Sequence, residues 1–127
     1  MSEIRPEKDF LRHLTEGRFM LQRSRATGRY IFYPRVAEPL TGSTDLEWVA
    51  ACGRGIVYAT TVVRQRPPAA DYNVALIDLE EGVRMMSRVE EIEPEKVAIG
   101  MRVSARVRRD GDAAIVVFTP APPPHGP

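Results

Sequence analysis

From Glu47 onward, apolar and polar residues recur in short runs of the kind that extended chain produces. The runs are "EWVAA", "GIVYATTVVR", "NVALIDL", "VRMMSRV", "RVSARVR" and "AAIVVFT", set apart by stretches rich in Gly, Pro, Asp and Glu. Six strand-like runs at short, fairly regular spacing predict an all-β barrel or sandwich. In "RVSARVR" the alternation is clean: Val103, Ala105 and Val107 share one face, and Arg102, Ser104, Arg106 and Arg108 share the other, which should meet water or a polar ligand. "GIVYATTVV" and "NVALI" are apolar on both faces and suit central barrel strands. "RRDGDA" supplies the Asp-Gly of a tight hairpin turn, and "EPEKV" suits one helical turn between strands. In "RMMS", one of Met85 and Met86 faces in and the other out.

The pattern upstream is different. Residues 6 to 17, "PEKDFLRHLTEG", begin with a proline suited to a first helical turn and stop at a glycine, with Phe10, Leu11 and Leu14 at helical spacing. They predict a short amphipathic helix whose apolar stripe must dock on the chain or on a partner. Between Arg18 and Ser43, "RFMLQR" and "GRYIFYPR" read as short extended pieces joined by turns. The tail "PAPPPHGP" is too rich in proline to pair in a sheet and is expected to be disordered.

Spacing adds a further feature to the middle segment. Ser24 and Thr27 in "SRAT", and Glu38 and Thr41 in "EPLT", are two pairs with the x2 spacing of zinc-ribbon knuckles, followed by Gly28 and by Gly42-Ser43. Zn²⁺ in such ribbons takes four thiolate or imidazole ligands. Hydroxyls are poor zinc ligands and Glu38 alone cannot make a site, so zinc is not expected.

Composition narrows the function classes. A chain of 127 residues suits one compact domain, with at most a small appended module. Eighteen Lys and Arg against seventeen Asp and Glu give a net charge of +1, so no global field draws the chain to nucleic acid or membrane. The single cysteine excludes an intramolecular disulfide. The absence of a long apolar run predicts a soluble, cytoplasmic protein. Catalytic chemistry has few candidates. His13 lies on the predicted helix, His125 lies in the tail, and both read as surface residues; Cys52 reads as a small residue before a turn.

Local charge is more informative. Between Gly17 and Ala37, Arg18, Arg23, Arg25, Arg29 and Arg35 occur without one acidic residue, interleaved with Tyr30, Phe32 and Tyr33. Arginine contacts phosphate and carboxylate in bidentate fashion, and aromatics stack on adenine. Arg23, Arg25, Arg29, Tyr30, Phe32 and Arg35 are therefore the candidate ligand or partner contacts. Asp78 to Glu95, by contrast, holds seven acidic residues and two arginines, which disfavours a nucleic-acid backbone. Trp48 reads as a packing anchor between the ribbon-like segment and the barrel.

Taken as a set, "LQRSRATGRYIFYPR", "GSTDLEWVAACGRGIVYATTVV", "NVALIDLEEGVRMMS" and "VAIGMRVSARV" resemble a family of small acyl-CoA-associated proteins, long known as a domain of unknown function. The resemblance covers nearly the whole chain, about Phe10 to Pro120. It implies an N-terminal helix at 1–17, a rubredoxin-like zinc ribbon at 18–46, a five-stranded OB-fold at 47–120 and a tail at 121–127. Family members carry four cysteines where this chain has Ser24, Thr27, Glu38 and Thr41, so the ribbon is degenerate and metal-free in expectation. A structural zinc contributes roughly 10–16 kcal/mol in isolated modules. Packing of Phe19, Tyr30, Phe32 and Tyr33 against the barrel or a partner is the expected replacement. The resemblance further implies a non-catalytic companion of a thiolase-like enzyme or of a hot-dog-fold hydratase, with a contact to acyl-CoA and no cofactor of its own. An OB-fold that binds single-stranded nucleic acid is the alternative, and an independent acyl-CoA enzyme is a third.

Overall fold

The computed structural model describes residues 6–39 and 41–121. Most of the expected proline-rich tail, with His125, lies outside them. Helix α1 spans Pro6–Thr15 and buries Leu14. The Arg109 guanidinium donates to the Thr15 carbonyl at 2.8 Å, satisfying an acceptor that the helix end leaves open.

Strands β1 (Met20–Ser24), β2 (Tyr30–Ile31) and β3 (Leu46–Ala50) form a small antiparallel sheet in the order β2-β1-β3. The first of the six runs, expected with the barrel, thus pairs with β1 from Met20↔Ala50 to Ser24↔Leu46. Its short apolar run suits either sheet, and only the β1 partner decides between them. Trp48 sits on β3 against α1, its ring 5.3 Å from that of His13.

Strands β4 (Arg54–Val63), β5 (Tyr72–Leu79), β6 (Arg84–Ser87), β7 (Arg102–Asp110) and β8 (Ala113–Pro120) form a second sheet in the order β6-β5-β4-β7-β8. A 3₁₀ turn at Pro94–Lys96 occupies "EPEKV", and β7 and β8 join through Gly111 and Asp112. The sheet curls until its ends meet in a parallel bridge, Val89↔Phe118. There the Glu90 amide donates to the Phe118 carbonyl at 2.7 Å, and the Phe118 amide donates to the Arg88 carbonyl at 2.9 Å. Asn73 reinforces the closure, because its side chain bonds both the Val89 carbonyl (2.8 Å) and the Val89 amide (3.0 Å). A five-stranded antiparallel sheet that closes through one parallel contact is an OB-fold.

Val57, Ala75, Ile77, Leu79, Met85, Val89, Val97, Val103 and Phe118 fill the barrel, and Leu21 from β1 joins the same core. Phe19, Tyr30 and Phe32 pack on it as well, whereas Tyr33 is 59% exposed and contributes no such packing. Gly55 on β4 lets the strands approach closely: a Cβ there would lie 2.7 Å from Ile77 Cγ2 and 3.0 Å from the Asp78 carbonyl. Met85 faces in and Met86 out, as expected. β4 lies at the centre of the sheet and β5 inside it, as their apolar runs suggested, although Ile56 and Tyr58 on β4 are exposed. The barrel's helical cap is a single 3₁₀ turn, and α1 packs on β8 and β1, so the outer face of β4 meets solvent.

Candidate functional site

The two x2 pairs meet. Ser24 ends β1 and is fully buried, Thr27 lies on the following turn, and Glu38 is 2% exposed. Thr27 Oγ1 donates to Glu38 Oε2 at 2.7 Å, and Thr41 Oγ1 donates to Glu38 Oε1 at 2.5 Å, so one carboxylate joins both turns. The Thr27 amide points at Ser24 Oγ at 3.3 Å, and the Gly28 amide donates to the Ser24 carbonyl at 2.7 Å. In the second turn, the Gly42 amide donates to the Glu38 carbonyl at 2.8 Å. Gly28 (φ +77°) and Gly42 (φ +72°) take the left-handed conformation that closes each turn. The hydrogen bonds from Thr41, then Thr27, hold the Glu38 carboxyl below the usual carboxylate range, outweighing its desolvation; Ser24 and the charge of Arg29 act in the same direction.

Beside this cluster, where the small sheet meets the barrel, lies a groove of about 370 Å³. Arg29, Tyr30, Phe32, Arg35 and Glu38 line it from β2 and the segments flanking it, and Val83 and Arg84 from the β5–β6 turn and the start of β6. Four of the six sequence-selected candidates therefore converge. Arg23 leans on the site from outside, its guanidinium 5.7 Å from the Tyr30 ring. Arg25 does not belong to it, because it pairs with Asp45 at 2.8 Å and Glu47 at 3.9 Å on the other side of the turn. The arginine run looked uncompensated because those acids lie twenty or more residues along the chain. Arg35 is anchored by its backbone: its amide donates to Gln22 Oε1 at 2.5 Å, and Gln22 Nε2 donates to its carbonyl at 2.6 Å. Gln22, Val83 and Arg84 carried no sequence signal, because their relevance depends on contacts between distant strands. Arg84 is itself preset, bonded to Asp78 at 2.6 and 3.3 Å and stacked 3.4 Å above the Tyr58 ring.

The acidic stretch also changes meaning in three dimensions. Asp78, Glu80, Glu90, Glu91 and Glu95 pair with Arg84, Arg54, Arg108, Arg106 and Arg64, and Glu93 pairs with Lys96. Such exposed pairs add little stability, but they cancel the local field that the sequence suggested.

Groups suited to catalysis are otherwise engaged. His13 is half-buried against Trp48 rather than free on the surface, and its Nδ1 faces the Arg18 guanidinium at 3.2 Å. The Cys52 amide is bonded to Glu81 at 2.7 Å; partial burial of the sulfur, with the Glu81 charge, pushes the thiol up, away from the reactive thiolate. Among the described residues, no three His, Cys, Asp or Glu side chains gather as a metal site. The donor set at the two turns, three hydroxyls and one carboxylate with a hydroxyl donor on each oxygen, does not fit Zn²⁺. No helix among the described residues is long and apolar enough to cross a membrane.

The geometry defines a class of protein: an OB barrel carrying a small three-stranded module, with an arginine-aromatic groove at their junction. Comparison with known proteins makes this specific. Residues 48–108 match the family model described as "ChsH2, C-terminal OB-fold domain". A DUF35 domain-containing scaffold protein of Methanocaldococcus jannaschii is 37% identical over 59% of this chain and 58% of its own length. Another of the same description, from Pyrococcus furiosus, is 30% identical over 79% of this chain and 76% of its own. A probable enoyl-CoA hydratase alpha subunit of Thermomonospora curvata is 36% identical over 84% of this chain, which spans 34% of that subunit. Among solved structures, a chain of the "Ltp2-ChsH2(DUF35) aldolase" superposes with a TM-score of 0.82 at 31% identity, covering 94% of this chain and 98% of that one. The protein belongs to the DUF35 family.

Proposed function

We propose that this protein is a non-catalytic accessory subunit that docks on and stabilises an enzyme of acyl-CoA metabolism, either thiolase-like or a hydratase of the hot-dog fold. The observation that carries the reading is the groove at the module–barrel junction, where Arg29 and Arg35 stand beside Tyr30 and Phe32, and where the one lining carboxylate, Glu38, is held by Thr27 and Thr41. Two guanidinium groups suit phosphates or carboxylates, and two aromatic rings suit an adenine or an apolar contact. In this reading α1 and the small sheet face the partner, and the groove meets the partner surface or the phosphates of bound acyl-CoA. The exposed Leu11, Tyr33 and Val36 give that side apolar contact area. The descriptions of the relatives as scaffold proteins and a hydratase alpha subunit, and of the solved structure as an aldolase, support an acyl-CoA partner.

The test is co-purification of the tagged protein from its native host. A thiolase-like or hydratase enzyme should be recovered, and the isolated protein should show no acyl-CoA turnover. Recovery of nucleic acid, with affinity falling steeply as salt rises, would replace this reading with the oligonucleotide-binding one.

A further inference from the structure

We infer that the Glu38 carboxylate does the structural work of a metal ion in this module, clamping both turns in place of zinc. Three observations carry the inference. The residues at the four ligand positions converge although Ser24 and Thr41 are seventeen positions apart in the sequence. Glu38 accepts from a hydroxyl of each turn, Thr27 at 2.7 Å and Thr41 at 2.5 Å, one on each carboxylate oxygen. Ser24 is fully buried and Glu38 nearly so, as the centre of a closed cluster requires.

A tetrahedral zinc holds two turns together because each turn supplies two ligands to one centre. Here one of the four positions supplies the centre itself, and the other three approach it: Thr27 and Thr41 through their hydroxyls, and Ser24 through the Thr27 amide that its Oγ receives. Hydrogen bonds to a charged acceptor are shorter and stronger than neutral ones, so a carboxylate suits the role better than an amide. Burial of Leu21 in the barrel core, with Phe19, Tyr30 and Phe32 packed against it, supplies further stability that an isolated ribbon draws from its metal. The clamp also borders the groove, since Glu38 lines it next to Arg29 and Arg35. The module's shape thus rests on an internal anion and needs no metal supply.

Hydrogen exchange on the full chain tests this, because the amides of the barrel at 54–120 are read separately from those of residues 24–45. Glu38→Ala should speed exchange in 24–45 by about tenfold or more while barrel protection is unchanged. Glu38→Gln, which keeps one carbonyl acceptor, should fall between Glu38→Ala and the wild type. The quadruple variant S24C/T27C/E38C/T41C should bind one Co²⁺ with thiolate charge-transfer absorption and recover protection on loading. Wild-type exchange in Glu38→Ala would overturn the inference. So would stoichiometric zinc in the purified wild type whose chelation loosens 24–45. A quadruple variant with an intact barrel that binds no Co²⁺ would also overturn it, by showing that the four positions do not form a ligand frame.

Discussion

His13 is set by the groups packed around its ring. The Arg18 guanidinium donates toward Nδ1, which must therefore accept, so the ring is neutral with its proton on Nε2, a buried atom with no hydrogen-bond partner among the described residues. Burial lowers the pKa from 6.5, and the charges of Arg18 and Arg12 lower it further, against Glu16 and Asp9; the Trp48 ring closes the other side. A lowered folded-state value means the unfolded chain takes up the proton first. The stability contributed here is complete above about pH 6.5 and declines as pH falls toward the folded-state value. Trp48 is the only tryptophan, so its emission should change, and α1 should loosen, as pH drops from about 7 to about 5. His13→Phe should flatten that response; an unchanged profile in the variant would place the titration elsewhere. At this scale the sequence was legible where partners are close: the x2 spacing announced that Ser24 and Thr27 share a turn, as do Glu38 and Thr41. It was silent on Arg25, whose acidic partner lies twenty residues away.

Elements were read well one by one and less well in their pairing. Helix α1, the β7–β8 hairpin and the 3₁₀ turn follow from local signals, proline and glycine above all, and they stand where those signals placed them. Strand β3 reads as a short apolar run like those of the barrel, and its membership of the small sheet comes only from its register with β1. Barrel closure is a further pairing without local signature: β6 ends at Ser87, and the Asn73 side chain stands in for a neighbouring strand at Val89. Asn73→Ala leaves the buried Val89 amide and carbonyl without their side-chain partner. It should cost about 2–3 kcal/mol in chemical denaturation, from two lost buried hydrogen bonds. Asn73→Leu should not restore the loss, because added apolar volume supplies neither a donor nor an acceptor. A Leu variant as stable as the wild type would mean that packing, not hydrogen bonding, closes the barrel.

Across the whole molecule, the small sheet and the barrel act as one body through Leu21, and their junction creates the groove that neither holds alone. The docking reading predicts that Arg29→Glu with Arg35→Glu weakens partner or acyl-CoA binding at least about tenfold, since each substitution replaces an attraction with a repulsion. Arg25→Ala should leave that affinity within about twofold, because Arg25 faces Asp45 and Glu47 rather than the groove. Titration of the purified partner with each variant measures both; equal losses would move the interface to the other side of the turn.

Local pattern alone settles the strand-like segments along the chain, the helix, the two turns with their x2 spacing, and the scarcity of catalytic groups. Each of these depends on residues within a few positions, where backbone preference and spacing act directly. The tertiary structure decided which sheet takes β3, how the barrel closes, which arginines are neutralised and which line the groove with Val83 and Arg84. Those outcomes depend on contacts between residues twenty or more apart, where only shared burial offsets the entropy of closing the loop, and no local pattern records that balance.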